Sequence, residues 1–284
     1  MHVLIAGCGW LGAAVARLLL SRGDRVTGVR SDPARARELA ALGVQPLALD
    51  LTAPDAGQRL PGDVDAILAL QAARGGGEAA YRHAYLQATA TLLDYARRRP
   101  LKALVVSGST GLFTQTDGSD ILESTPAPPA TGTPAILAEA EAALMAAAAQ
   151  GLPVRLVRLS GLYGPGRVWM VDRVRNGLMA LGPGDDAWLN SCHQDDAAAA
   201  LLAALDRGGD GAVYHATDAQ PLRRREVIEH VAAALGLPAP RSAQGGPGGP
   251  NRRILGEATR AELGLTLRWP SLRQGLEPFM NTGA

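Results

Sequence analysis

The sequence has little lysine, little cysteine and no long apolar run. Lys102 is the only lysine, so its basic charge is almost entirely arginine. The two cysteines, Cys8 and Cys192, lie far apart and make no disulfide framework. That usage points to a reducing, cytoplasmic setting. No apolar run reaches ~18 residues, so no membrane span is expected. No charged-then-apolar leader opens the chain, whose first residues read directly as a strand, and a secretory signal is not expected. A concentrated basic face is also missing. The 28 basic and 27 acidic residues leave a net charge of +1. The only basic runs, Arg97-Arg98-Arg99 and Arg223-Arg224-Arg225, read as solvated helix faces, so a nucleic-acid partner is not expected.

What is present is enough for a folded core. The chain has 284 residues, 47% hydrophobic and 19% charged. At ~150 residues per domain that means one large domain or two small ones. Short apolar runs alternate with helical patterns through the first half. Strands are predicted at 3–6, 25–29, 44–49, 65–70, 103–107 and 154–159, and helices at 11–21, 33–42, 78–98 and 137–149. Such alternation, with nearly continuous apolar strands, predicts an α/β fold: a doubly wound parallel sheet covered on both faces, with right-handed crossovers. After Tyr163 the pattern changes. Gly164-Pro165-Gly166 breaks the chain, helices are expected at 196–205 and 225–235, a late strand at 213–216 and a short helical piece at 259–263. The Gly/Pro-rich stretch 244–250 reads as a loop, and the tail 217–284 as a cap over the ligand-binding edge of the sheet.

The first strand runs into Gly7-Cys8-Gly9-Trp10-Leu11-Gly12, which fits G-x-G-x-x-G and opens a helix. In this Rossmann context Gly7 permits the tight turn, Gly9 lets the backbone approach a pyrophosphate, and Gly12 lets helix and strand pack closely. The helix start at Trp10 and Leu11 offers free N–H groups and positive dipole to the phosphates. An acidic residue ~20 positions on would bind a ribose 2′-hydroxyl. Val29-Arg30-Ser31 stands there instead. Arg30 suits a 2′-phosphate and Ser31 can donate a hydrogen bond to it, which favours NADP, with NAD as the alternative. Asp32 competes for the ribose, but it precedes Pro33 and reads better as a helix N-cap. Asp50 and Leu51 follow the third strand and are placed to flank the adenine; for Asp50 a turn-forming role is the alternative.

Three further segments follow in order. They are Ser107-Gly108-Ser109-Thr110-Gly111-Leu112-Phe113, Arg158-Leu159-Ser160-Gly161-Leu162-Tyr163-Gly164-Pro165-Gly166, and His193-Gln194-Asp195-Asp196. With the glycine loop, they make the chain resemble the extended short-chain dehydrogenase/reductases, the NAD-dependent epimerase/dehydratase family, over nearly its full length. The resemblance implies a cofactor domain over 1–164, with 192–216 returning to it. It also implies a smaller C-terminal substrate domain drawn mainly from 165–284, a nicotinamide cofactor contacted also at Ser107, and a small-molecule substrate, often a nucleotide sugar. A homodimer is a further family expectation. One departure is clear. The family's usual Tyr-x-x-x-Lys pair falls on Thr133 and Leu137, and no tyrosine occurs between Tyr95 and Tyr163. The chain therefore resembles the atypical branch that lacks the pair.

Ser109 matches the family serine that hydrogen-bonds a substrate oxygen; its alternative is a strand-end serine bonded to local backbone. His193 is the best acid–base candidate by its intrinsic pKa of ~6.5, although in the family pattern its segment mainly joins the two domains. Asp195 and Asp196 read as helix caps. With no second histidine or paired cysteine at ligand spacing, no metal site is expected. Tyr163 offers a phenol or a packed aromatic. Arg167 and Asn251-Arg252-Arg253 suit either an anionic substrate, such as a diphosphate, or solvent. The expected function is an NAD(P)-dependent oxidoreductase or epimerase with a non-standard active site, acting on a small polar substrate. The alternative is a non-enzymatic NADP-binding sensor or scaffold.

Overall fold

The computed structural model describes residues 1–73, 75–238, 240 and 249–280. Most of the stretch expected as a loop at 244–250 lies outside them. Seven strands form the central sheet: β1 (His2–Ala6), β2 (Arg25–Arg30), β3 (Gln45–Ala48), β4 (Ala66–Ala69), β5 (Ala103–Ser109), β6 (Val154–Leu159) and β7 (Val213–Ala216). Their order is β7-β6-β5-β4-β1-β2-β3, and every neighbouring pair is parallel. The winding reverses between β1 and β4, which is where a doubly wound sheet opens a crevice at the carboxyl ends of its strands.

Alternation along each strand sends side chains to two cores. Val3, Ile5, Ala66, Leu68 and Val105 join one, under α1 (Trp10–Ser21). Leu4, Ala6, Ile67, Ala69, Leu104 and Val106 join the other, with Leu144 and Ala147 of α2 (Thr133–Ala149). The first core is completed by Ala197, Leu201 and Leu205 of α3 (Gln194–Arg207). Because both faces are buried, the strand sequences carry few polar interruptions.

Several expected elements change form. The helix at 33–42 is α-helical only over Pro33–Arg37 and tightens to a 3₁₀ turn over Glu38–Leu42. Asp32 caps it as expected, accepting from Ala34 N at 2.9 Å and Arg35 N at 3.2 Å. The helix at 78–98 contains a π turn, Arg82–Gln87, between Glu78–Tyr81 and Ala88–Ala96. Asp195 and Asp196 do not cap α3. The cap is His193, whose Nδ1 accepts from Asp195 N at 3.1 Å. Asp196 instead accepts from Arg268 N and Trp269 N, at 2.8 and 2.9 Å, and ties the tail to the sheet.

A smaller core forms beyond the sheet edge. Helices Trp169–Arg175, Arg224–Ala234 and Leu272–Met280 bury Met170, Val171, Val227, Ile228, Val231 and Leu276 against one another. Three short strand pairs join this region to the sheet: Gly161–Tyr163 with Ser191–His193, Trp188–Leu189 with Leu222–Arg223, and Asp120–Ile121 with Arg253–Ile254. No helix among the described residues is long and apolar enough to cross a membrane.

A buried ion pair clamps α2 to the sheet. Arg158 of β6 meets Glu141 through Nε and Nη2, at 3.0 and 2.9 Å from Oε2. Burial pushes the Glu141 carboxyl up, and Arg158 opposes the shift. Removing one partner strands the other charge, so Glu141→Ala is expected to lose about 3–5 kcal/mol in denaturant unfolding.

Candidate functional site

A cleft of about 760 Å³ opens at the carboxyl ends of β1, β2, β4 and β5. Its wall includes Gly7, Gly9, Trp10, Leu11, Gly12, Arg30, Ser31, Asp50, Leu51, Ser107 and Ser109. The fold thus brings the residues expected at the cofactor, together with Ser109, around one space. Gly7 has φ +81°, and a Cβ there would lie 2.5 Å from the Gln71 backbone. At Gly12 a Cβ would come within 3.1 Å of Gly7 O and 3.2 Å of Ile5. At Gly9 it would meet only Gly7 O, at 3.8 Å, so packing does not require a glycine here. The N-terminus of α1 has no side-chain cap and no acidic residue in its first turn. Its N–H groups and dipole are therefore left to a ligand anion, and the cradle fits a dinucleotide pyrophosphate.

Other contacts hold the loop in place. Trp10 donates through Nε1 to Pro165 O at 2.8 Å, and Gln194 donates to Trp10 O at 2.8 Å. Arg167 lies 5.3 Å over the Trp10 ring. Arg30 reaches Cys8 O at 3.4 Å, at the lip where β2 ends. Asp50 accepts from Thr52 N and Oγ1, at 2.9 and 2.8 Å, and these bonds hold its carboxyl below the usual range. It is both a turn former and part of the cleft wall. Ser107 donates to Ala69 O at 3.2 Å.

A second cavity, of about 660 Å³, lies between the serine segment and the smaller core. Ser109–Gly111, Trp188–Asn190 and Arg252 contribute to it, and it shares Ser109, Leu159 and Ser160 with the first cleft. The Ser109 hydroxyl oxygen accepts from Gly111 N at 3.0 Å, which leaves its proton free to donate. Ser160 is buried, and its hydroxyl has no hydrogen-bond partner among the described residues. Ser109 therefore presents a hydroxyl where the cavities meet, while the Ser160 hydroxyl is enclosed in the shared wall.

His193 lines neither cavity. It is 3% exposed, with its ring 5.2 Å from those of Tyr163 and Trp269, and burial pulls its pKa down. Tyr163 is buried in the smaller core and donates to Ser271 O. Leu137, expected at the place of the family lysine, is buried in a cluster with Leu112 and Phe113. Arg253 is held by both oxygens of Asp120 at 2.6 Å, and Asn251 by Trp188 N at 3.1 Å. Both cysteines are free and buried, and burial pushes the Cys8 thiol up to about 11. No group of three or more metal-ligating side chains occurs among the described residues.

Tyr85 belongs to the site without any sequence motif to mark it. It lines the first cleft and packs in the cluster of Leu112 and Phe113, 5.3 Å from the Tyr81 ring; burial raises its pKa, opposed by a hydrogen bond from the Ala73 backbone. The π turn over Arg82–Gln87 sets this face, and such turns cluster at functional sites.

A fully buried histidine sits behind the site. His215 donates from Nδ1 to Leu255 O at 2.8 Å and accepts at Nε2 from Arg158, at 3.3 Å. Burial, reinforced by the Arg158 charge, holds its pKa below the ordinary value, despite Leu255 and Glu123 pulling the other way. Below about pH 6.5 the unfolded chain takes up a proton that the folded chain resists, so His215 loses its stabilising effect as pH falls. The stability advantage of wild type over His215→Asn is therefore expected to shrink between about pH 7.5 and pH 5, measured by urea unfolding.

A family model described as "NAD dependent epimerase/dehydratase family" matches residues 3–216. The chain belongs to that family. Protein YeeZ of Escherichia coli K12 is 28% identical over 273 residues, covering 94% of this chain and 96% of that protein. The 4-hydroxy-2-methyl-3-oxo-4-farnesyl-3,4-dihydroquinoline-1-oxide ketoreductase of Stigmatella aurantiaca is 28% identical over 246 residues, covering 82% and 72%. Among solved structures, the dTDP-glucose 4,6-dehydratase DesIV of Streptomyces venezuelae, crystallised with NAD, superposes with a TM-score of 0.84 at 23% identity, covering 99% and 96%. That likeness shows the shared fold.

Proposed function

We propose that this family member is an NADP-dependent oxidoreductase that interconverts a carbonyl and an alcohol on a small polar substrate. The observation that carries the reading is the meeting of two cavities at Ser109, Leu159 and Ser160. One cavity has a bare helix N-terminus and a glycine cradle suited to a dinucleotide. The other has room for a second molecule. The ketoreductase relative and the NAD carried by the structural neighbour support the same class of chemistry.

Residues 1–164 and 192–216 form the cofactor domain in this reading, and 165–284 mainly the substrate domain. The backbone of Gly7 to Gly12, with Trp10 and Leu11, holds the pyrophosphate. Arg30 and Ser31 take the 2′-phosphate, Asp50 and Leu51 flank the adenine, and Ser107 walls the nicotinamide end. When bound, the nicotinamide supplies or accepts a hydride at C4. The Ser109 hydroxyl donates to the substrate oxygen. Tyr85 delivers the proton to that oxygen on reduction and receives it on oxidation. Burial raises the pKa of this phenol, which weakens it as an acid, so it gives up its proton only as hydride transfer builds negative charge on the substrate oxygen.

Loss of the Tyr-Lys pair, with Leu137 in the core, is the observation that favours a non-catalytic sensor instead. Incubating the protein with NADPH and a panel of small ketones, aldehydes and oxo acids separates the two. An oxidoreductase consumes NADPH with a member of the panel; a sensor binds NADPH and leaves it reduced throughout.

A further inference from the structure

Arg252 stands apart from the other arginines around the second cavity. Arg253 is matched by Asp120, and Arg224 lies 2.6 Å from Asp185. Asp185 also accepts from Gly182 N at 2.6 Å, so its charge is already engaged. Arg252 has no carboxylate within ion-pair distance among the described residues. Its guanidinium makes one hydrogen bond among the described residues, from Nη2 to Thr110 O at 3.0 Å. Its Nε is buried with no partner, and burial lowers the pKa of the guanidinium. A guanidinium does not shed its proton in a protein, so the uncompensated charge remains. The residue is half-buried, so this charge is partly shielded from water, and an anion entering the cavity would offset that cost.

The placement of this charge narrows the anion. Thr110 directly follows Ser109, and both line the cavity with Arg252. The charge therefore sits beside the serine where the reacting oxygen is held, not at a remote end of the cavity. Ala180, Ala187 and Leu189 lie elsewhere on the wall and offer neutral surface to the rest of a substrate. Resting on the oxidoreductase reading above, we propose that Arg252 receives a carboxylate lying within a few bonds of the reacting carbon. The substrate class is then short 2-oxo or 3-oxo carboxylic acids and the matching hydroxy acids. The reaction balances as a hydride from NADPH to the carbonyl carbon and a proton to its oxygen, giving the hydroxy acid and NADP⁺. The carboxylate stays on Arg252 without changing its bonding.

The test is equilibrium binding to the protein–NADP⁺ complex, in which an oxo acid cannot be reduced. Short 2-oxo and 3-oxo carboxylates are compared with their methyl esters, and with inorganic phosphate, on wild type, Arg252→Met and Arg252→Lys. At least one acid is expected to bind wild type about tenfold or more tighter than its ester. That preference disappears in Arg252→Met and returns in part in Arg252→Lys, with NADP⁺ affinity unchanged in all three. Equal binding of acids and esters overturns the proposal, as does an acid preference that survives in Arg252→Met. Arg252-dependent binding of phosphate, with no carboxylate bound, overturns it in favour of a phosphorylated substrate. If Arg252→Met does not fold, the wild-type comparison of acid and ester still decides. Failure of wild type to bind NADP⁺ would instead refute the underlying cofactor reading.

Discussion

Gly7→Ala is expected to destabilise the protein by about 2–6 kcal/mol and to abolish dinucleotide binding. Two costs combine. The backbone at Gly7 has φ +81°, which an L side chain rarely adopts. The new Cβ would also lie 2.5 Å from Gln71 N and Cα and 2.8 Å from Leu70 C. These are backbone atoms just past β4, and Leu70 N is fixed to Ala6 O at 2.7 Å. Nothing flexible can move aside. Gly9→Ala provides the contrast, because its Cβ meets only Gly7 O at 3.8 Å. That variant is expected to fold near wild-type stability yet lose most of its NADPH affinity, since the methyl enters the space a phosphate would occupy. Urea unfolding and NADPH titration of both variants check the pair. Wild-type affinity in Gly9→Ala would remove the pyrophosphate from this loop.

Tyr85→Phe is expected to lower kcat about a hundredfold or more while the cofactor affinity holds. The change removes only the hydroxyl. The ring keeps its place beside Tyr81, at 5.3 Å, so packing is preserved and the loss falls on proton transfer. Among the residues lining the two cavities, Tyr85 is the only phenol. Ser109 can orient an oxygen but is a poor proton source at neutral pH. Steady-state kinetics would show kcat falling with the fold and NADPH binding intact. An unchanged kcat would remove Tyr85 as the proton donor.

The sheet was legible because its inner strands are buried on both faces. Runs such as Val3 to Ala6 and Ala66 to Ala69 have no polar interruption to obscure them. The glycine loop was legible because its geometry admits so few residues at Gly7. The region beyond Tyr163 was much less so. Two-residue strands and the seven-residue helix Trp169–Arg175 are too short for periodicity to emerge. Tyr85 was hidden for a different reason. A π turn shifts which side chains share a helix face, and the stretch 78–98 reads as uniform helix. The sequence also offered His193 as an acid–base residue without showing that its Nδ1 is already spent capping α3. Neighbouring arginines pose the same difficulty. Arg252 and Arg253 are equivalent on paper, and only the pairing of Asp120–Ile121 with Arg253–Ile254 places Asp120 beside the second of them.

The cofactor assignment supports the whole functional account, and Arg30 is its sharpest point. The direct measurement is a titration of purified wild type and Arg30→Ala with NADPH and NADH. The account predicts that wild type binds NADPH more tightly than NADH. It also predicts that Arg30→Ala loses about 1.5–3 kcal/mol of NADPH affinity, roughly ten- to a hundredfold, with little change for NADH. Failure of wild type to bind either nucleotide would contradict it.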